Sequence, residues 1–372
     1  MAGATLGLSA CGGFAEPALQ PVTKMPVARV ELPPVHGKTA AFDTMALDQG
    51  NHRLYVADSL DQGVDVIDVT VSPGHYLQTI PLQTIPHGIV LADEVHRLYT
   101  GNDDSTVSVI DVNPNSPNRY SVVASISTKG AGIADLVDYD PVDHKLYVGN
   151  IDDGFLSSID VNTNAVIKQI PNLGKVEQPR YDSVDGMVYV ASADRDSIIQ
   201  LDARTDTLVR EYPLPLKCVP HGIAINPATN QGVIGCSDKD NPVTIAWDFG
   251  AKRMIGSFDL AGAGDAVIFD AQARHFYFAA SSYAPAEIAV FNDAPIRFLT
   301  AVPTSHHSNA VAYDETHKLV YTYDGKHLEA ALWAFSDPVA GCSGTEAQRA
   351  ADGAPRDSTP HCHPGTQSVA LR

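Results

Sequence analysis

Several chemistries are missing from this sequence. It has no Cys-x-x-Cys-His for covalent haem, no Gly-x-Ser-x-Gly nucleophile elbow and no Gly-x-x-x-x-Gly-Lys phosphate loop, so cytochrome function, serine-esterase chemistry and nucleotide hydrolysis have no anchor here. No stretch approaches the ~18 apolar residues that a membrane-spanning helix requires. Basic residues are few: 25 lysines and arginines stand against 44 acidic residues, a formal net charge of −19. Such a surface repels phosphate backbones and anionic headgroups, which excludes nucleic acid as a charge-bound partner and favours cations. Helical periodicity is absent as well. What is present is a globular composition, 44% hydrophobic and 19% charged over 372 residues, enough for two ordinary domains or one large repeat architecture.

The N-terminus, MAGATLGLSACGG, ends its apolar run in Leu8-Ser9-Ala10-Cys11. That tetrapeptide resembles a bacterial lipobox, although the segment ahead of it is short and lacks a basic region. Residues 1–26 are read as an export or lipoprotein-like leader and linker, with Cys11 as the lipid anchor. The expected location is the periplasm or cell envelope. Four cysteines remain, Cys218, Cys236, Cys342 and Cys362, an even number that suits an oxidising compartment without fixing the pairing.

The strongest local signal is a strand of the form Leu-Tyr-Val. It begins at Leu54, Leu98, Leu146 and Val188, and in weaker copies at Gly232, Phe276 and Val320. The steps are 44, 48, 42, 44, 44 and 44 residues, a period that marks propeller blades. Each unit runs apolar strand, turn, Leu-Tyr-Val strand, a third strand closing on aspartate (Asp68, Asp111, Asp160, Asp202, Asp248), and a variable fourth strand. The closing aspartates are expected to cap turns through their own backbone. The seventh unit stops near Ser336 after three strands, and the segment from Val27 is the natural fourth. The expectation is all-β: one seven-bladed propeller over 27–337, closed by its N-terminal strand and expected to be monomeric. Residues 338–372 form a Gly/Ser/Pro-rich tail that a Cys342–Cys362 bridge could hold, and whose His361-Cys362-His363 is a weak metal motif.

These repeats resemble the YVTN-repeat seven-bladed propellers, which are similar in style to lactonase-like bacterial propellers. That resemblance implies the fold. It leaves function open, since the family spans enzymes, subunits of electron-transfer enzymes and surface-layer proteins.

Eleven residues before each Leu-Tyr-Val strand stand Asp43, His87, Asp135, Glu177, His221, Asp265 and Asn309. All are polar, and all fall at the entrance to a blade's first strand, which lines the central channel. They are expected to form one ring at one mouth. Two positions further on come Met45, Ile89, Val137, Pro179, Ile223, Val267 and Val311, read as a packed apolar interior below that rim. Four carboxylates on one rim call for a cation or shared protons. Two imidazoles among them suit Zn, Mn, Fe or Cu, and the oxygens alone suit Ca or Mg. All seven are therefore candidate ligands of a divalent metal ion. His87, His221 and Glu177, with His307 just above, are candidate acid–base groups, and Lys175 and His306 lie nearby. A second histidine set, His52, His96, His144 and His317, is read as turn chemistry on the opposite rim.

Two functions fit. One is an exported enzyme with a metal or acid–base site at the channel mouth, a metal-dependent hydrolase or lyase acting on a small polar substrate by lactone or ester hydrolysis or by elimination. The other is a non-catalytic binding or scaffold propeller of the envelope. The Pro-His-Gly that opens two units is itself common at blade starts, which leaves the two ring histidines open to a purely structural role.

Overall fold

A computed structural model describes residues 27–33, 42–324 and 331–339. The leader with Cys11, Cys342, His361, Cys362 and His363 lie outside the described residues. Among those described there are twenty-eight strands and two short 3-10 turns, Asp93–Val95 and Ala193–Arg195. The strands form seven four-stranded antiparallel sheets, one per repeat. Blade 1 begins with Phe42–Asp48 and Arg53–Asp58, and each later blade repeats that order. Blade 7 combines Ala312–Asp314, Leu319–Tyr323 and Ala331–Ser336 with Val27–Glu31, so both chain ends share one sheet.

The buried apolar residues divide into seven clusters, each lying between two neighbouring blades. This is face-to-face sheet packing carried round a circle. The tyrosine of Leu-Tyr-Val is fully buried in each copy that carries it, Tyr55, Tyr99, Tyr147, Tyr189, Tyr277 and Tyr321. Tyr147 of blade 3 donates to Asp206 Oδ1 (2.9 Å) and to the Ala203 carbonyl (2.9 Å) of blade 4. Tyr277 reaches Asp337 beyond the third strand of blade 7, and Tyr321 of blade 7 reaches the Pro73 carbonyl of blade 1. The ring buries in the core, and in blades 3, 6 and 7 the hydroxyl ties one blade to the next, whereas the buried hydroxyls of Tyr55 and Tyr99 have no partner among the described residues. Tyr147→Phe should therefore cost about 1–3 kcal/mol, because it strips a buried carboxylate that also holds Lys145 of a donor. Tyr321→Phe, which loses a bond to a neutral carbonyl, should cost about 1 kcal/mol. Equal losses in denaturant titrations of the two variants would contradict this reading.

The closing aspartates do cap turns: Asp111 accepts from the Asn113 amide, Asp160 from Asn162 and Thr163, and Asp248 from Ala251. His52, His96 and His144 occupy left-handed turn positions between first and second strands. His317 departs from the set. The left-handed residue of blade 7 is Lys318, and His317 sits one place earlier, bonded to Asp314 (2.7 Å).

Candidate functional site

In blades 1 to 5 the first strand carries a bulge at one repeated place, between Phe42 and Met45, Pro86 and Ile89, Ala134 and Val137, Val176 and Pro179, and Pro220 and Ile223. Asp43, His87, Asp135, Glu177 and His221 all fall inside it. A bulge inserts one residue and re-aims the side chains around it. Asp265 and Asn309 stand just ahead of the shorter first strands of blades 6 and 7.

The apolar channel interior expected below the rim is present in large part: Met45, Ile89, Val137, Val267 and Val311 line a cavity of about 180 Å³. Met45, Ile89, Val137 and Ile223 also pack into the cores between blades. Polar Thr44, Gln178, Asp138 and Arg180 border the same cavity. Arg180 Nη1 pairs with Asp138 at 2.8 Å, its Nε donates to the Ile223 carbonyl, and Asp138 also accepts the Tyr181 amide. This pair between neighbouring blades 3 and 4 was missed in the sequence. The signal was there, since both residues lie three places after a ring position that is apolar in the other blades.

Two histidine-centred groups emerge from the ring. His87 Nδ1 lies 3.0 Å from Asp43 Oδ2, and its Nε2 lies 3.7 Å from Asp103. Asp43, His87 and Asp135 each offer a ligand atom within 4.8 Å of the others. Nε2 of His87 is buried and has no hydrogen-bond partner among the described residues. In the second group, His221 Nε2 is 3.5 Å from Glu177 and its Nδ1 is 3.5 Å from Asp265. In each group the histidine's blade meets a carboxylate from the blade before. Pro-His-Gly supplies the approach on the other side. A Cβ at Gly88 would stand 2.6 Å from the Asp135 carbonyl, and one at Gly222 2.4 Å from that of Asp265. Only glycine lets the next blade bring its carboxylate alongside the imidazole.

The remaining members are less engaged. Asn309 acts through its backbone, accepting from the Ala266 amide (3.2 Å) and donating to the Tyr323 hydroxyl (3.1 Å). His306 and His307 lie in an exposed turn, where the His307 amide reaches the Ser281 carbonyl. Asp103, on the loop after the second strand of blade 2, was not foreseen.

Charge is concentrated at this mouth. Desolvation, together with Asp43 and Glu177, raises Asp135 well above the usual carboxylate range. Glu177, only 6% exposed, is pushed up to about 7 by burial, against the pull of His221. Burial opposes protonation of His87 and His221, yet Asp43 and Asp265 respectively outweigh it and hold each imidazole at about 9. These shifts share a sign. Each group binds protons more tightly when folded, so its stabilising contribution is complete below its unfolded pKa and is lost as pH rises through the folded one. Buried Asp65 and Glu287, both raised to about 7 by desolvation, act likewise up to neutrality. Above it the histidines dominate. Metal-free protein should lose on the order of 3 kcal/mol between pH 7 and 9, and a His87→Gln/His221→Gln variant should lose little. Thermal melts across that range decide the matter, and a flat wild-type profile would contradict the charge arrangement.

No family model matches this chain, and no curated protein matches it. Among solved structures it is similar to the structure of U3-55K, at TM-score 0.67 and 10% identity, covering 85% of this chain and 100% of that one. It is also similar to a chain in the crystal structure of the mitotic checkpoint complex, at TM-score 0.65 and 14% identity, covering 89% and 99%. Identities this low speak to architecture alone. What they show is the seven-bladed propeller.

Proposed function

We propose that this chain is a binding propeller that holds a divalent cation at one mouth of its channel through Asp43, His87 and Asp135. One observation carries the reading: three potential ligand atoms within 4.8 Å of one another, one of them on a histidine whose Nε2 is buried without a partner. Two carboxylates and an imidazole form a donor set for a borderline cation such as Mn or Zn, and three protein ligands leave coordination positions open for a small polar ligand. Bound positive charge would compensate a crowd of carboxylates that otherwise share protons.

Catalysis remains the second reading, and one observation supports it. Glu177, which titrates near neutrality, lies 3.5 Å from His221, which makes an acid–base pair on the same mouth. The experiment is a calorimetric titration of chelator-treated protein with Mn²⁺, followed by an assay against small lactones and esters. Stoichiometric binding that is lost in His87→Ala and kept in His144→Ala supports the site. Turnover lost in Glu177→Gln would move the account to the enzyme, and no binding at saturating Mn²⁺ would end it.

A further inference from the structure

The loop that delivers His221 to the ring is held in an unfavourable shape. Val219 has φ 50°, a left-handed conformation that a β-branched residue seldom adopts, and Pro220 after it narrows the choice further. In blade 2 the same Pro-His-Gly is reached differently. There the left-handed residue is Gln83, earlier in the loop, and Ile85, the counterpart of Val219, has no positive φ. A strained residue persists only where its surroundings over-determine it, and at Val219 they do. Cys218 is bridged to Cys236 and fully buried. Asp196 Oδ1 accepts both the Cys218 amide (2.8 Å) and the Val219 amide (2.6 Å). The Val219 carbonyl accepts from the Ser237 amide (3.0 Å) and hydroxyl (3.2 Å), and the Cys218 carbonyl from the Asp238 amide (3.2 Å). All of these contacts fall on Cys218 or Val219, and His221 is the second residue beyond Val219.

We propose that the Cys218–Cys236 disulfide and Asp196 are positioning residues for His221. Together they clamp Val219 in its left-handed conformation, and so place the imidazole between Glu177 and Asp265. The cross-link thereby sets the geometry of one half of the channel mouth from a buried point outside it. The inference rests on the ring being the functional site, but its decisive readouts need no metal. A Cys218→Ala/Cys236→Ala protein should exchange the amides of residues 218–222 about tenfold faster than wild type, the factor expected when a left-handed β-branched residue is released. The ring carbon–proton NMR signal of His221 should move or broaden as well. Adding Val219→Gly should return both readouts close to wild type, because glycine holds that backbone conformation without a clamp. Asp196→Ala, with the disulfide intact, should shift the same signals, and Asp196→Asn, which keeps the acceptor, should restore them. This pair decides the question if the cysteine variant does not fold. Unchanged exchange and an unmoved His221 signal would overturn the clamp, as would a change that Val219→Gly fails to reverse. If the clamp variants respond as expected while the wild type binds no Mn²⁺, the positioning stands and the cation reading falls.

Discussion

Removing residues 1–33 should cost the propeller its cooperative unfolding, with the melting temperature falling by more than about 10 °C, or soluble protein lost altogether. Val27–Glu31 pairs with Ala331–Ser336 over five registered positions. Val30 and Leu32 are 2% and 7% exposed within the cluster that joins blades 7 and 1. Their burial alone is worth about 1.5–3 kcal/mol each. The larger effect is topological. Without this strand the third strand of blade 7 becomes an open edge, and the closure between blades 7 and 1 rests on the inner strands of blade 7 alone. Deleting only residues 1–26 leaves the strand in place and serves as the control. A shortened protein that melts like the control would show that closure does not depend on the strand.

Asp135→Asn should separate stability from binding. Its carboxyl lies among Asp43, Glu177 and Asp265, and both desolvation and that repulsion push its pKa up. An amide of the same shape removes the repulsion, so the metal-free variant should be about 1–2 kcal/mol more stable above pH 7. The same change removes a carboxylate from the candidate ligand set. Mn²⁺ affinity should fall by more than about 100-fold, beyond the 10–100-fold that changes around a ligand typically cost. The signs are opposed, and that opposition is the signature of a site kept at the expense of stability. A variant that is destabilised and binds Mn²⁺ unchanged would mean that Asp135 is a structural residue.

Much of this arrangement could be read from the chain because each blade places the same residue type at the same step. Tyr147, Tyr277 and Tyr321 made the period visible; burial of the ring is common to all the tyrosine copies, and these three also bond to the next blade. The eleven-residue offset found the ring because the bulge falls at one repeated place in five blades. The channel walls were legible in part: Ile89 and Val137 line the cavity as expected and also pack between blades. Arg180 and Asp138, polar among those apolar walls, went unnoticed. His317 was misaligned because the histidine was counted instead of the strand that follows it. Which carboxylate meets which imidazole was beyond any single-blade pattern. It is decided by how closely adjacent blades approach at Gly88 and Gly222, and by Asp103, which arrives on a loop. The even cysteine count left the pairing open; the structure settles one pair, Cys218–Cys236, with Cys218 two residues ahead of the strand Pro220–Asn226.

Anomalous diffraction from crystals grown in Mn²⁺ tests the central claim most directly. The account predicts one strong peak at the channel mouth, within coordination distance of Asp43, His87 and Asp135 and lost in crystals of His87→Ala. A mouth that holds only water at saturating Mn²⁺, or a peak elsewhere on the protein with this group left unliganded, would contradict it.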